Sequence, residues 1–144
     1  MVLPKMILVP LDLSKRSEEA AEYAAALARE VGASLTLMVN VNQPERAAME
    51  QFARDEHITI DQAGEAALGR VASRLGGDVE TSVMVRAADS PVEGIIEASE
   101  YSKADLIVMT SHGRTGMTRW LLGSVAERMV QASDVPVLVI PARG

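Results

Sequence analysis

At 144 residues, the chain is predicted to form one domain, residues 1–144, because domains average about 150 residues. A formal net charge of −6 and an aromatic content of 3% disfavour nucleic acid and anionic membranes as partners, since these need surplus cations or stacking rings. The lack of cysteine excludes disulfides, thiol catalysis and Cys-based metal sites, and two histidines are too few for a multi-histidine metal site.

The first half of the chain alternates apolar runs with helical patterns. Residues 6–11 predict a buried strand, and Ser17 is predicted to be the N-cap of a helix that ends at Gly32. A second β-type run covers residues 35–41. The segment 43–57 is polar and charged, which predicts a loop or a weakly helical excursion.

The middle of the chain continues the alternation. A helix is predicted over about 61–75, followed by a strand over 79–85. Residues 90–93, Ser-Pro-Val-Glu, combine a capping box with Pro at the first helical position. A third helix is therefore expected from there to about residue 102.

The remainder holds a strand at 105–109, a glycine-containing loop over 110–122, a helix over about 124–132 and a last strand at 135–140. The apolar strands alternate with helices throughout. This order predicts an α/β fold, a doubly wound, five-stranded parallel sheet with helices on both faces.

Signals for the membrane or for export are lacking in the sequence. No stretch approaches the roughly 18 consecutive apolar residues of a membrane-spanning helix. The apolar run near the N-terminus is interrupted by Asp12, and no small-residue cleavage site follows a long apolar region. A cytoplasmic protein without membrane insertion is expected.

Ligands of open α/β sheets bind beyond the carboxyl ends of the strands, near a topological switch point. Three segments fit that description: 10–14, 39–42 and 110–125. The third contains Gly113, Gly116 and Gly123 and leads into a helix at Ser124. Glycines let backbone N–H groups approach an anion closely, and a helix N-terminus adds partial positive charge.

The charge distribution singles out the same segment. Residues 106–126 contain no carboxylate and carry Arg114 and Arg119, so this stretch sums to +2 and the rest of the chain to −8. One interpretation is a phosphate-binding loop, because arginines and backbone amides suit phosphate. The other is that both arginines are solvated and the glycines only shape a connection.

Familiar catalytic and nucleotide motifs are missing. The chain has no G-x-x-x-x-G-K-[ST], no G-x-G-x-x-G after the first strand and no G-x-S-x-G. Ser111 and His112 are merely adjacent, which gives no catalytic geometry. Asp12 could accept hydrogen bonds from a ribose or base, or could cap the first helix. Asn40 interrupts an apolar strand and would need backbone or ligand partners if buried.

Taken together, five segments resemble the universal stress protein family, and the resemblance covers essentially the whole chain. They are residues 7–14, 105–109, 111–114, 121–127 and 135–140. The resemblance implies a Rossmann-like fold of the adenine nucleotide α-hydrolase type. ATP-binding members carry G-x2-G-x9-G-[ST], to which Gly113 and Gly123-Ser124 are similar at the right spacing, whereas Thr110 replaces the first glycine.

The family resemblance implies an ATP site, with Mg²⁺ held mainly through phosphate oxygens. Pro10 and Asp12 would lie by adenine and ribose, and the backbone of Val39 and Asn40 would read the adenine edge. The ribose and phosphate contacts would come from Met109, Thr110, Gly113, Arg114, Gly123, Ser124 and Val125. A homodimer joined through the last strand is also implied, although Pro136 and Pro141 could instead protect the edge of a monomer.

The expected function is that of an ATP-binding universal stress protein acting as a nucleotide-dependent regulatory or stress-response module. A nucleotide-free dimeric interaction module is the alternative, consistent with Thr110 in place of glycine. A slow ATPase or phosphotransferase is less favoured, because the loop lacks lysine and no carboxylate–histidine–lysine constellation surrounds it. No catalytic residue and no metal-ligating residue is therefore predicted.

Overall fold

Five strands form one parallel sheet in the computed structural model, which describes residues 2–42, 46–111 and 122–141. The strands are β1 (Met6–Leu11), β2 (Ser34–Asn40), β3 (Thr81–Arg86), β4 (Leu106–Thr110) and β5 (Val137–Ile140). Their order across the sheet is β3-β2-β1-β4-β5, and every neighbouring pair is parallel. The predicted doubly wound α/β fold is therefore confirmed.

Helices cover both faces of the sheet. They are α1 (Lys15–Val31), α2 (Arg46–Glu56), α3 (Ile60–Leu75), α4 (Pro91–Ser102) and α5 (Ser124–Ala132). The alanines of α1 and the apolar residues of α3 pack on one face with Ile7 and Val9, whereas α4 and α5 pack on the other with Leu8. Because alternate side chains of β1 are buried in opposite cores, its continuous apolar run is explained.

The first helix begins earlier than the sequence predicted. Its N-cap is Ser14, whose Oγ accepts the N–H of Ser17 at 3.2 Å, so Ser17 lies inside the first turn and is buried. The prediction of Ser17 as the cap was wrong by three residues. The helix ends as predicted at Gly32, which adopts a left-handed conformation with φ 73°.

The segment predicted as a loop or weak helix contains a regular helix, α2. Met49 and Ala53 are buried one turn apart, and Arg46 forms an i,i+4 ion pair with Glu50 at 2.6 Å. A short apolar stripe is enough here because the helix packs against α3.

Two ion pairs join one flank of α1 to the last turn of α3 and to the segment just after it. Arg74 Nη2 lies 2.7 Å from Glu18 Oε1 at one end, and Arg29 Nε lies 2.7 Å from Asp78 Oδ2 at the other. The hydrogen bond from Arg29 holds the pKa of the Asp78 carboxyl below its ordinary value. Within the described residues, no helix is both long enough and apolar enough to cross a membrane.

Candidate functional site

The topological switch point of the sheet lies between β1 and β4. These strands are neighbours, yet the helix that follows β1 packs on one face and α5, which follows β4, packs on the other. In this class of fold, ligands bind in a crevice beyond the carboxyl ends of the strands at such a point, so we take this edge as the candidate site and call it the crevice.

Pro10 interrupts the hydrogen-bond ladder beside this crevice. The carbonyl of Lys5 accepts the Ser34 N–H on the β2 side, and that of Met6 accepts the Asp105 N–H on the β4 side. Residues of a strand face its two neighbours alternately, so Pro10 faces β4, where it has no N–H to donate. Accordingly, the register of β1 with β4 covers Ile7–Leu106 and Leu8–Ile107.

Asp12, directly after β1, is built into the start of α1. Its Oδ1 accepts the backbone N–H of Ser14 at 2.9 Å and the Ser14 hydroxyl at 2.5 Å. The same hydroxyl oxygen accepts the N–H of Ser17. Asp12 is therefore not the N-cap that the sequence left open as its structural role; its carboxylate instead orients the N-cap Ser14 and is held beside the crevice by it.

Leu13, between Asp12 and Ser14, has a left-handed backbone with φ 67°. This conformation costs a non-glycine residue about 1–2 kcal/mol. It lets the chain turn sharply from β1 into α1, so that Ser14 becomes the cap. Nothing in the apolar pattern indicated the strain, because Leu is an ordinary strand residue.

The N-terminus of α5 is tethered to the end of β4. Ser111 donates its N–H to the Ile140 carbonyl at 2.8 Å, and its own carbonyl accepts the Gly123 N–H at 2.7 Å. Gly123 is the N-cap, and its N–H is already used inside the protein. The N–H groups of Ser124 and Val125 belong to the first turn, where no intrahelical acceptor exists. These two amides suit an anion at the crevice.

Asn40, at the end of β2, has its side chain satisfied by the main chain. Its Nδ2 donates to the Ala88 carbonyl at 3.2 Å, and its Oδ1 accepts the Ala88 N–H at 2.8 Å. The Nδ2 of Asn42 donates to the same carbonyl at 2.9 Å. The structural interpretation of Asn40 is the one observed: it holds the loop between β3 and α4 beside the carboxyl edge.

The remaining predicted residues fall into three groups. Val39 and Met109 are buried in the two cores, at 0% and 6% exposure, so their side chains serve packing. Pro10 and Thr110 are half-buried at the ends of β1 and β4. Gly113 and Arg114 lie outside the described residues.

One cation near the crevice escaped the sequence reasoning. Arg16, in the first turn of α1, has a terminal nitrogen that is shielded from solvent and lacks a hydrogen-bond partner. The available signal was its spacing to Ala20 and Ala24, which continues the buried stripe of the helix. Across the described ranges, no group of three or more His, Asp or Glu side chains forms a metal-binding cluster.

Comparison with known proteins gives relatives over nearly the whole chain. A universal stress protein of Methanocaldococcus jannaschii, MJ0531, is 36% identical over 143 residues, covering 96% of this chain and 82% of that protein. The solved structure of MJ0577, from the same organism, has a TM-score of 0.79 and 26% identity, and the match covers 99% of each chain.

A further solved structure, a universal stress protein in complex with cAMP, has a TM-score of 0.63 and 24% identity, covering 96% of this chain and 98% of that one. This likeness concerns the fold. The family model described as "Universal stress protein family" matches residues 4–141. A match of that extent, together with the relative at 36% identity, shows that the chain belongs to the universal stress protein family.

Proposed function

We propose that the protein binds an adenine nucleotide, ATP, in the crevice between β1 and β4 and acts as a nucleotide-dependent regulatory or stress-response module. The observation that carries the proposal is the first turn of α5. Its N-cap, Gly123, is tied to Ser111 at the end of β4, which holds the amides of Ser124 and Val125 at the switch point. Fixed N–H groups at a helix N-terminus bind phosphate well.

The other groups at the crevice suit the rest of a nucleotide. The Asp12 carboxylate is fixed by Ser14 and can accept a hydrogen bond from a ribose hydroxyl, while the backbone at Val39 and Asn40 would meet the adenine edge. Mg²⁺ would be held mainly by the phosphate oxygens, and Gly113 and Arg114 remain predicted phosphate ligands from the sequence.

Family membership supports the proposal, and a universal stress protein of this fold has been solved with cAMP. The first-turn amides of α5 and the Asp12 carboxylate can bind a ligand, but they do not form an acid–base pair for catalysis. We therefore propose that nucleotide binding regulates the protein, rather than that the protein hydrolyses the nucleotide. The proposal includes a cytoplasmic homodimer joined through β5, an apolar strand at the edge of the sheet.

One observation favours a second function, a nucleotide-free dimeric interaction module. Thr110 ends β4 at the place where the ATP-binding pattern has its first glycine, and it brings a side chain to the crevice. Mass spectrometry of the purified protein separates the two functions. Co-purifying adenine nucleotide supports the ATP site, and its absence together with no calorimetric heat from ATP or AMP at millimolar concentration supports the module.

A matched pair of variants tests the α5 amides directly. Ser124→Pro removes one N–H at the first helical position, where proline fits because Gly123 already has ψ 152°. Ser124→Ala removes the hydroxyl and keeps the amide. We expect Ser124→Pro to weaken ATP binding about tenfold beyond Ser124→Ala, with unchanged far-ultraviolet circular dichroism. Equal affinities in both variants would show that this amide does not bind phosphate.

A further inference from the structure

Arg16, at the carboxyl edge of the sheet where the nucleotide site is proposed, has no ion-pair partner among the described residues. It lies in the first turn of α1, where the helix dipole disfavours positive charge. Its Nη1 is shielded from solvent and has no hydrogen-bond partner, whereas the neighbouring Lys15 is exposed. A shielded guanidinium N–H without an acceptor is costly, so an acceptor supplied by a ligand would satisfy it.

The position of Arg16 around the helix places it over β4. Helix α3 lies on the flank of α1 that carries Glu18 and Arg29. At about 100° per residue, Arg16 projects roughly 160° away from Glu18 and thus away from α3. On this face of the sheet α3 packs mainly with β3, whereas α1 packs mainly with β1 and β4. The flank opposite α3 therefore overlies β4, at the carboxyl edge where α1 begins.

The carboxylates nearest to Arg16 in the sequence are those of Asp12, Glu18 and Glu19. Glu18 pairs with Arg74, and one oxygen of Asp12 is engaged by Ser14. The stretch 106–126, which includes β4 and everything up to the first turn of α5, contains no carboxylate at all. Within the described parts of the chain, Arg16 makes no ion pair.

We infer that Arg16 is a phosphate ligand of this site, donating from Nη1 to a phosphoryl oxygen of the bound nucleotide. The inference rests on the proposed nucleotide function and extends it, because it assigns a cation from α1 in addition to the α5 amides. A nucleotide with phosphates then bridges the two helices that leave the switch point on opposite faces. The chemistry recognised is that of a phosphate group, since a guanidinium donates parallel N–H bonds to its oxygens.

The test compares Arg16→Gln and Arg16→Lys with Lys15→Gln, which removes the same charge one residue away. Calorimetry with ATP, AMP, adenosine and inorganic phosphate reports which part of the ligand each variant affects. We expect Arg16→Gln to weaken ATP binding tenfold or more while adenosine affinity stays within about twofold. Arg16→Lys should retain part of the ATP affinity, and Lys15→Gln should change it little.

The ligand-free melting temperature separates binding from folding. If the Arg16 side chain serves ligand binding and not folding, Arg16→Gln should leave that temperature unchanged or raise it, because a shielded N–H without an acceptor is removed. Equal weakening of ATP and adenosine, or an ATP affinity matching that of Lys15→Gln, would overturn the assignment. Should the wild-type chain bind phosphate through Arg16 but no adenosine or nucleotide, the proposed function fails and the phosphate site stands.

Discussion

Single residues with a left-handed backbone mark the turns of this protein. Among the described residues, Leu13, His57 and Lys103 have positive φ without being glycine. Lys103 ends α4 with φ 57° and donates its N–H to the carbonyls of Ser99 and Glu100. Gly32 ends α1 in the same conformation without the penalty that a β-carbon brings.

Lys103→Gly is therefore expected to stabilise the protein by up to about 1 kcal/mol, because glycine adopts the left-handed conformation freely and the side chain is exposed. Lys103→Ala is the matched control, since it removes the same charge and keeps the β-carbon. Urea unfolding of the three proteins measures the difference. A glycine variant no more stable than the alanine variant would show that Lys103 is unstrained.

At the residue scale, the sequence located polar residues at strand ends but did not indicate their hydrogen-bond partners. Asp12 and Asn40 were recognised because each is polar at the end of an apolar strand. That Asn40 binds Ala88 depends on how the β3–α4 loop returns to the sheet, which no local pattern contains. The choice of Ser14 over Ser17 as the cap likewise depends on the strained turn at Leu13.

Helices pack closely on the sheet where they carry glycine, and one such contact is that of Gly94 in α4 with β2. A β-carbon on Gly94 would lie 3.2 Å from Oδ1 and Cγ of Asn40. That amide is held by two hydrogen bonds to Ala88 and has little freedom to move. In contrast, a β-carbon on Gly69 in α3 would meet nothing within 4 Å.

Gly94→Ala and Gly69→Ala are expected to change stability in opposite directions. Alanine is more favourable than glycine in a helix by up to about 1 kcal/mol, and Gly69→Ala should gain all of this stability because its β-carbon meets no neighbour. Gly94→Ala should be destabilising by about 1–3 kcal/mol, since it forces Asn40 out of its bonds or α4 away from β2. Thermal unfolding measures both. Equal shifts would mean that Asn40 yields without cost.

The sequence predicted helices and strands correctly where one or both faces of the element are strongly apolar. The strands and α3 were predicted within a few residues, because continuous apolar runs and a helical period each dictate one structure. Helix α2 was underestimated because its stability comes from packing on α3 as well as from its own apolar stripe. Such a tertiary contribution is invisible to a local pattern.

At the scale of the whole molecule, the two ends of the β1–β4 pair differ: hydrogen bonds join the strands at the amino edge of the sheet, and the pairing stops early at the carboxyl edge. Pro10 interrupts the ladder at the carboxyl edge, where the proposed site lies. At the amino edge, the Asp105 carboxylate accepts the N–H of Lys5 at 2.9 and 3.0 Å and the N–H of Met6 at 3.0 Å. A carboxylate thus replaces the strand pairing that the sheet lacks just before β1 and β4 begin.

Asp105→Ala should consequently lower the free energy of unfolding by about 1–3 kcal/mol, because hydrogen bonds to a charged acceptor are stronger than neutral ones. Asp105→Asn keeps one carbonyl oxygen as an acceptor, so its free energy of unfolding should lie between those of the wild type and Asp105→Ala. Urea unfolding gives the stabilities, and hydrogen exchange should quicken at the amides of Lys5 and Met6 before other amides of β1. Because the carboxyl edge is stabilised separately by Ser111, Ile140 and Gly123, ligand affinity should persist in both variants. An alanine variant as stable as the wild type would mean that solvent replaces the carboxylate without loss.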